Sequence, residues 1–286
     1  MLLIVGATGE LGGRIARSLL ERGEAVRALV REGSEHGPLE GAGAELVFGD
    51  LTKPETLPAA CAGIETVLTT ASASVRGGGA DTIEAVDGQG TRDLIDVARQ
   101  TGVRRFVHVS AHGFKADSGV PLVRAKTETE AHLRKSGLEY TILTPVAFME
   151  AWIGHVIGGQ LAHGPSVTLA GDGEKPMGFI SVEDVAAAGT GVVGDPKAAN
   201  AELPLCGDAA SFRDVVRGIE RVTGRPIAVE TVPIGEPVPG LPPIIAELWP
   251  VLDRAGVPPE GVRNLEAYGI QPVTVERFVA RTFGGG

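Results

Sequence analysis

Leu2-Leu3-Ile4-Val5-Gly6-Ala7-Thr8-Gly9-Glu10-Leu11-Gly12 follows the first residue of the chain. Its first four residues form a continuous apolar run, the pattern of a strand buried on both faces. The glycines then fall as GxxGxxG. Gly6 permits a tight turn out of the strand, Gly9 lets the backbone approach a pyrophosphate, and Gly12 permits close helix–strand packing. Arg14 to Glu21 carries Ile15 and Leu19 at helical spacing, Gly23 marks a stop, and Ala25 to Val30 returns to strand. A glycine-rich turn that leaves a buried strand, opens a helix and lies within a βαβ unit of about 30 residues predicts a dinucleotide site. The free N–H groups and dipole of the helix N-terminus hold the phosphate charge. Thr8, Glu10 and Leu11 complete the turn around it.

The alternation continues outward from this unit. Glu45 to Phe48 and Glu65 to Thr70 read as strands. A helix is expected from about Asp81 to Thr101, with Ile83, Val86, Leu94, Ile95 and Ala98 on its apolar face. Arg105 to Val109 reads as a fifth strand, Arg124 to Lys135 as a helix capped by Gly137, and Tyr140 to Leu143 as a sixth strand. Strands alternating with helices predict an α/β fold, a Rossmann-like, doubly wound parallel sheet. After Thr144-Pro145 the rhythm breaks. Residues 151 to 178 have no clear period, Phe179 to Ala188 reads as strand or turn into helix, and Phe212 to Thr223 is an amphipathic helix. The prolines between 226 and 243 suit loops or edge strands. The expected organisation is an NAD(P)-binding domain over residues 1–150 and a smaller C-terminal substrate-binding lobe over 151–286. Segments of that lobe are able to return to the sheet.

Composition narrows the partners. The 286 residues are 43% hydrophobic and 22% charged, as in soluble globular proteins. A net charge of −10 and only 4% aromatic residues argue against a nucleic-acid surface, so phosphate recognition must be local. Cys61 and Cys206 are far apart, which excludes a disulfide framework or a zinc ribbon and leaves no metal site to expect. No leader pattern or run of about 20 apolar residues is present. The expectation is a cytoplasmic protein with a small-molecule substrate and neither nucleic acid nor membrane as partner; oligomeric state is left open.

Cofactor choice is read at the end of the second strand, where an acid usually accepts the ribose 2′-hydroxyl of NAD. This chain has Val30-Arg31 there. A guanidinium can clamp a 2′-phosphate, and a charge-assisted hydrogen bond contributes about 1.5–3 kcal/mol. Glu32 and Glu35 weaken the local positive field, and the balance favours NADP(H) over NAD(H).

These features, with Gly49-Asp50-Leu51, Arg104-Arg105-Phe106-Val107-His108-Val109-Ser110, Ala125-Lys126-Thr127-Glu128 and Phe179-Ile180-Ser181-Val182-Glu183-Asp184-Val185-Ala186, make the chain similar to atypical short-chain dehydrogenases/reductases. It resembles their NmrA-like, isoflavone-reductase-like and quinone-oxidoreductase branch over about residues 1 to 225. The resemblance implies that Asp50 and Leu51 border the adenine and that Thr70, Ala71 and Ser72 line the cofactor. It places Ser110 near the nicotinamide, Lys126 at the nicotinamide ribose, and Pro145 to Phe148 as a wall at the nicotinamide end. Phe148, Trp152 and Phe179 would border a substrate; for Trp152 and Phe179 core packing is an equal alternative.

Short-chain reductases generally use Tyr-x-x-x-Lys, but Leu122 stands four residues before Lys126. Tyr140 is followed at the fourth place by Thr144 and Tyr268 by Pro272, so neither rebuilds the motif. Three routes stay open. Lys126 acts as the acid; Ser110, His112, a water or a substrate hydroxyl relays the proton; or there is no turnover and the protein senses NADP(H). Lys126 and Glu130, spaced i, i+4, could also simply pair on the helix surface. The resemblance implies an NADPH-dependent reductase of a ketone or quinone, an aromatic polyketide-type ketone included. An NmrA-like regulator is the alternative, and a sugar-nucleotide epimerase or dehydratase a third possibility.

Overall fold

The apolar run that opens the chain becomes a strand with all four side chains buried. In the computed structural model, which describes residues 1–74, 79 and 81–285, this strand is β1 (Leu2–Val5) of a seven-stranded sheet. The others are β2 (Val26–Val30), β3 (Glu45–Phe48), β4 (Thr66–Thr69), β5 (Arg105–Val109), β6 (Glu139–Pro145) and β7 (Ala201–Leu205). The order is β7-β6-β5-β4-β1-β2-β3. β1 to β6 pair in parallel, the doubly wound arrangement expected from the sequence. Helix α1 (Glu10–Glu21) buries Ile15, Ala16 and Leu19. Leu3, Val5 and Phe106 from the strands pack with Leu94, Ile95 and Ala98 of α2 (Thr91–Gln100).

The chain divides into two compact units, 1–144 with 185–203 and 145–184 with 204–286. The expected boundary at 150 therefore moves back to Thr144, and residues 185–203 belong to the first unit. They belong there because they satisfy it. The buried Arg105 donates to the carbonyls of Val192 and Asp195, and Thr141 Oγ1 donates to that of Ala198 at 2.7 Å. The second unit holds a three-stranded sheet of Ala147–Phe148, Met177–Ile180 and Asp208–Ala210, and a parallel pair, Ser166–Ala170 with Ala228–Val232. Its helix Phe212–Thr223 starts on a capping box between Ser211 and Asp214 and ends at Gly224, which is left-handed at φ 67°. Cys61 and Cys206 are buried free thiols, and burial pushes each up to about 11. Among the described residues no helix is long and apolar enough to cross a membrane, and no cluster of His, Cys, Asp and Glu could hold a metal ion.

The packing that Gly12 permits is tight. A Cβ there would lie 2.3 Å from the carbonyl oxygen of Gly6 and 2.7 Å from Thr70 Oγ1. Backbone cannot yield cheaply, so Gly12→Ala is expected to cost at least about 1–3 kcal/mol, the usual cost of overpacking. Gly41→Ala, at a helical site with nothing within 4 Å, is expected to change stability by less than about 1 kcal/mol. Urea denaturation of the two variants side by side checks the contrast.

Candidate active site

Strand register places the sequence-predicted residues of the first unit on one edge of the sheet. Val5 aligns with Leu29 and with Thr69, Thr69 with His108, and Val109 with Leu143. Gly6, Arg31, Thr70 and Ser110 therefore all leave the sheet at its carboxyl edge. Strand order reverses between β1 and β4, and in open α/β sheets ligands bind in the crevice at that point. Gly6 has φ +88°, and a Cβ on it would meet Thr70 Oγ1 at 2.7 Å and Ala71 N at 2.9 Å. Gly9 caps α1 without a side chain, and Gly13 N–H donates to its carbonyl at 2.9 Å. The N–H groups of Glu10, Leu11 and Gly12 stand ahead of that bond, free of intrahelical acceptors. Thr8 is exposed, and the Glu10 side chain turns to Arg14 at 3.3 Å. This open, side-chain-free helix start fits a diphosphate.

Arg31 is exposed at the end of β2, and its guanidinium pairs with Asp81. The sequence placed no acid there; the fold brings one from 50 residues away. Asp50 turns its carboxylate onto its own loop, accepting from Thr52 N at 2.8 Å and Thr52 Oγ1 at 2.9 Å, while Leu51 packs into the core. After β4, Thr70 N–H donates to Val5 O, Ala71 N–H to Thr69 Oγ1, and Ser72 Oγ to Ser74 Oγ.

A buried polar cluster lies behind this edge. Lys126, on α3 (Pro121–Lys135), is only 6% exposed. Its Nζ is 3.1 Å from Asp87 Oδ1 and donates to Val109 O at 3.2 Å. Asp87 is fully buried; its other oxygen accepts Ala73 N–H at 2.9 Å, and its carbonyl accepts Thr129 Oγ1 at 2.9 Å. The alternative surface pair of Lys126 with Glu130 is not made. Glu130 is itself buried, accepting from Ser110 Oγ and, at 3.1 Å, from Arg134, which continues to Glu202 at 2.7 Å. The buried His108 has no hydrogen-bond partner on either ring nitrogen. Burial, with the charges of Lys126 and Arg134 adding to it, holds its pKa well below the usual histidine value. Leu122, where the family tyrosine would stand, is buried, and His112 is half-buried in the turn after β5.

Asp87 lies in a π-helical segment, Glu84–Gly90, which precedes α2; the uniform helix expected from Asp81 to Thr101 is interrupted there. Extra-wide turns of this kind recur at functional sites. One signal for Asp87 was present in the sequence. It falls in the stripe of Ile83, Leu94, Ile95 and Ala98, an acid on the apolar face. Asp81 left no comparable trace, because its partner comes from another strand.

The remaining predicted residues belong to the second unit. Pro145 is buried and Phe148 half-buried in the strand Ala147–Phe148. Trp152 and Phe179 pack within a core cluster. Phe179 is wholly buried 5.7 Å from the Phe212 ring, and Trp152 sits edge-on to Trp249 at 5.5 Å.

Residues 6–196 match the NAD(P)H-binding family. The chain is 32% identical over 234 residues to the photosystem II assembly factor Ycf39 of Cyanophora paradoxa, covering 82% of this chain and 72% of that protein. It is 28% identical to the NAD(P)H azoreductase of Xenophilus azovorans, covering 79% of this chain and 75% of that one. The crystal structure of NADPH-dependent quinone oxidoreductase complexed with NADPH from Escherichia coli has the same fold, with a TM-score of 0.85 at 21% identity over 99% of this chain and 100% of that one.

Two stability measurements test the cluster. Lys126→Met strands the Asp87 carboxylate in the interior and is expected to cost about 3–5 kcal/mol. Adding Asp87→Asn, which keeps an acceptor for Ala73 N–H, is expected to restore most of the loss in urea denaturation. His108 binds a proton more readily unfolded than folded, so its contribution is complete above about pH 6.5 and is lost as pH falls below that value. The slope is at most about 1.4 kcal/mol per pH unit. His108→Gln is expected to flatten the fall in stability between about pH 6.5 and 5.5, and an unchanged slope would refute it.

Proposed function

The chain belongs to the NAD(P)H-binding family, and from that premise we propose that it is an NADPH-dependent reductase of a ketone or quinone. The observation that carries this reading is the Ser110–Glu130 hydrogen bond at the carboxyl edge of β5, beside the glycine turn's end of the sheet. A hydroxyl backed by a buried carboxylate is a proton donor that does not need the tyrosine, whose place in the sequence Leu122 takes. Bound NADPH would supply the hydride. The N–H groups that open α1 hold the diphosphate, and Arg31 meets the 2′-phosphate. Asp50 and Leu51 shape the adenine end, and Thr70 to Ser72 line the path between the phosphates and Ser110.

Lys126 binds rather than protonates. Its Nζ faces the Asp87 carboxylate and donates to Val109 O, and a remaining N–H can meet a ribose hydroxyl. The proton instead lies between Ser110 Oγ and Glu130 Oε1. Ser110 gives it to the substrate oxygen, and water restores it while Glu130 holds the hydroxyl in place. His112, half-buried in the turn after β5, stands toward the substrate. The named azoreductase and quinone-oxidoreductase relatives support an unsaturated, electron-accepting substrate, and aromatic polyketide-type ketones belong to the same chemical range.

A second reading, a non-catalytic NADP(H)-sensing module that docks to a partner, is favoured by the similarity to named assembly factors. Following NADPH oxidation against a panel of quinones and aromatic ketones separates the two. Turnover supports the reductase; NADPH binding without turnover on any member of the panel supports the sensor. In the reductase, Ser110→Ala and Glu130→Gln are each expected to lower kcat about 10²–10⁴-fold at saturating NADPH, the range for a lost proton-transfer group. Tyr140→Phe and Tyr268→Phe are expected to retain near-normal kcat, since neither has a lysine four residues on.

A further inference from the structure

Arg31 and Asp81 put together two groups that dinucleotide sites ordinarily use as alternatives. An acid near the end of the second strand accepts the 2′-hydroxyl of NAD, and an arginine near it accommodates the 2′-phosphate of NADP. Here the arginine comes from β2 and the acid from beyond β4, joined in an ion pair with side chains 54% and 29% exposed. No other ionic partner of Arg31 occurs among the described residues. The turn that carries Arg31 is fixed, since its carbonyl accepts from Ser34 N at 3.1 Å and from Ser34 Oγ at 2.8 Å. Of the neighbouring acids, Glu32 is exposed, and Glu35 is occupied with Gly37 N–H at 3.1 Å.

We infer that Asp81 is a specificity-determining residue that holds the preference for NADPH below what Arg31 alone would confer. A 2′-phosphate approaching Arg31 has to share or displace the carboxylate already on the guanidinium, and it meets like charge in doing so. A 2′-hydroxyl carries no charge and can donate to the same carboxylate. The acid therefore handicaps NADPH and assists NADH, and the chain accepts both coenzymes more evenly than its arginine suggests. This rests on the reading of the glycine turn and Arg31 as the dinucleotide site.

The test is the dissociation constant of NADPH and of NADH, from fluorescence titration of the full chain, for the unmodified protein, Asp81→Asn and Arg31→Ala. Asp81 is partly exposed on a surface pair, so Asp81→Asn is expected to keep the melting temperature of the unmodified chain. It is expected to raise the ratio of the NADH to the NADPH dissociation constant about tenfold, a change of about 1.4 kcal/mol. Tighter NADPH binding, weaker NADH binding, or both would support the proposal. If both constants move by the same factor or neither moves, Asp81 is a tether only and the proposal fails. If that happens while Arg31→Ala still weakens NADPH about tenfold, the cofactor reading stands without it. If the unmodified chain binds neither coenzyme, the cofactor reading falls and the inference with it.

Discussion

The ion pair of Lys126 and Asp87 is the constraint around which the carboxyl edge of the sheet is arranged. Two opposite charges lie where water scarcely reaches, and each would be prohibitively costly there alone. Their remaining bonds are therefore obligatory, and each reaches a different element. Asp87 takes the N–H of Ala73 beyond β4 and a hydroxyl from α3, while Lys126 takes the carbonyl of the last residue of β5. Four segments that meet at the mouth of the sheet are thus fixed by one pair of charges. Such a pair adds little net stability compared with a well-packed apolar substitute, but it permits few alternative arrangements.

The same low dielectric governs the groups around the pair. His108 is kept neutral by its burial, so it adds no third charge beside Lys126 and Arg134. Glu130 instead spends its two oxygens on Ser110 and Arg134, and the chain of contacts continues to Glu202 at the surface. Charge in this region therefore runs from an interior that must balance to an exterior that need not. Ser110 sits at the inner end, next to the last buried turn of β5.

Much of the fold was legible because its signals are local. Glu45–Phe48, Arg105–Val109 and Phe212–Thr223 end where their apolar patterns end. The glycine turn was read from its spacing together with the strand before it and the helix it opens, and a Cβ at Gly6 or Gly12 would meet Ala71 N or the Gly6 carbonyl. What could not be read is what depends on partners far along the chain. Nothing adjacent to Arg31 announces Asp81, and Lys126 has an acid four residues on that its side chain does not use. The helical period suggested a surface pair with Glu130, but α3 turns both residues inward, where each meets a different partner. Trp152 and Phe179 were ambiguous for a related reason, because large aromatic residues serve cores and substrate walls alike until their neighbours are known.

The interleaving of the two units bears on how the protein is made. The chain leaves its first unit after Thr144, builds 40 residues of the second, and returns at Val185 to supply the edge strand β7. Until Val192 and Asp195 have emerged from a ribosome, the buried guanidinium of Arg105 lacks the carbonyls that satisfy it, and β6 is an open edge. An unpaired strand edge is a template for association with other chains. The nucleotide-binding half of this molecule is thus synthesised first and completed late. During that interval the nascent polypeptide exposes a sticky border, and a chaperone acting on it would find its purchase along β6 rather than at the glycine turn.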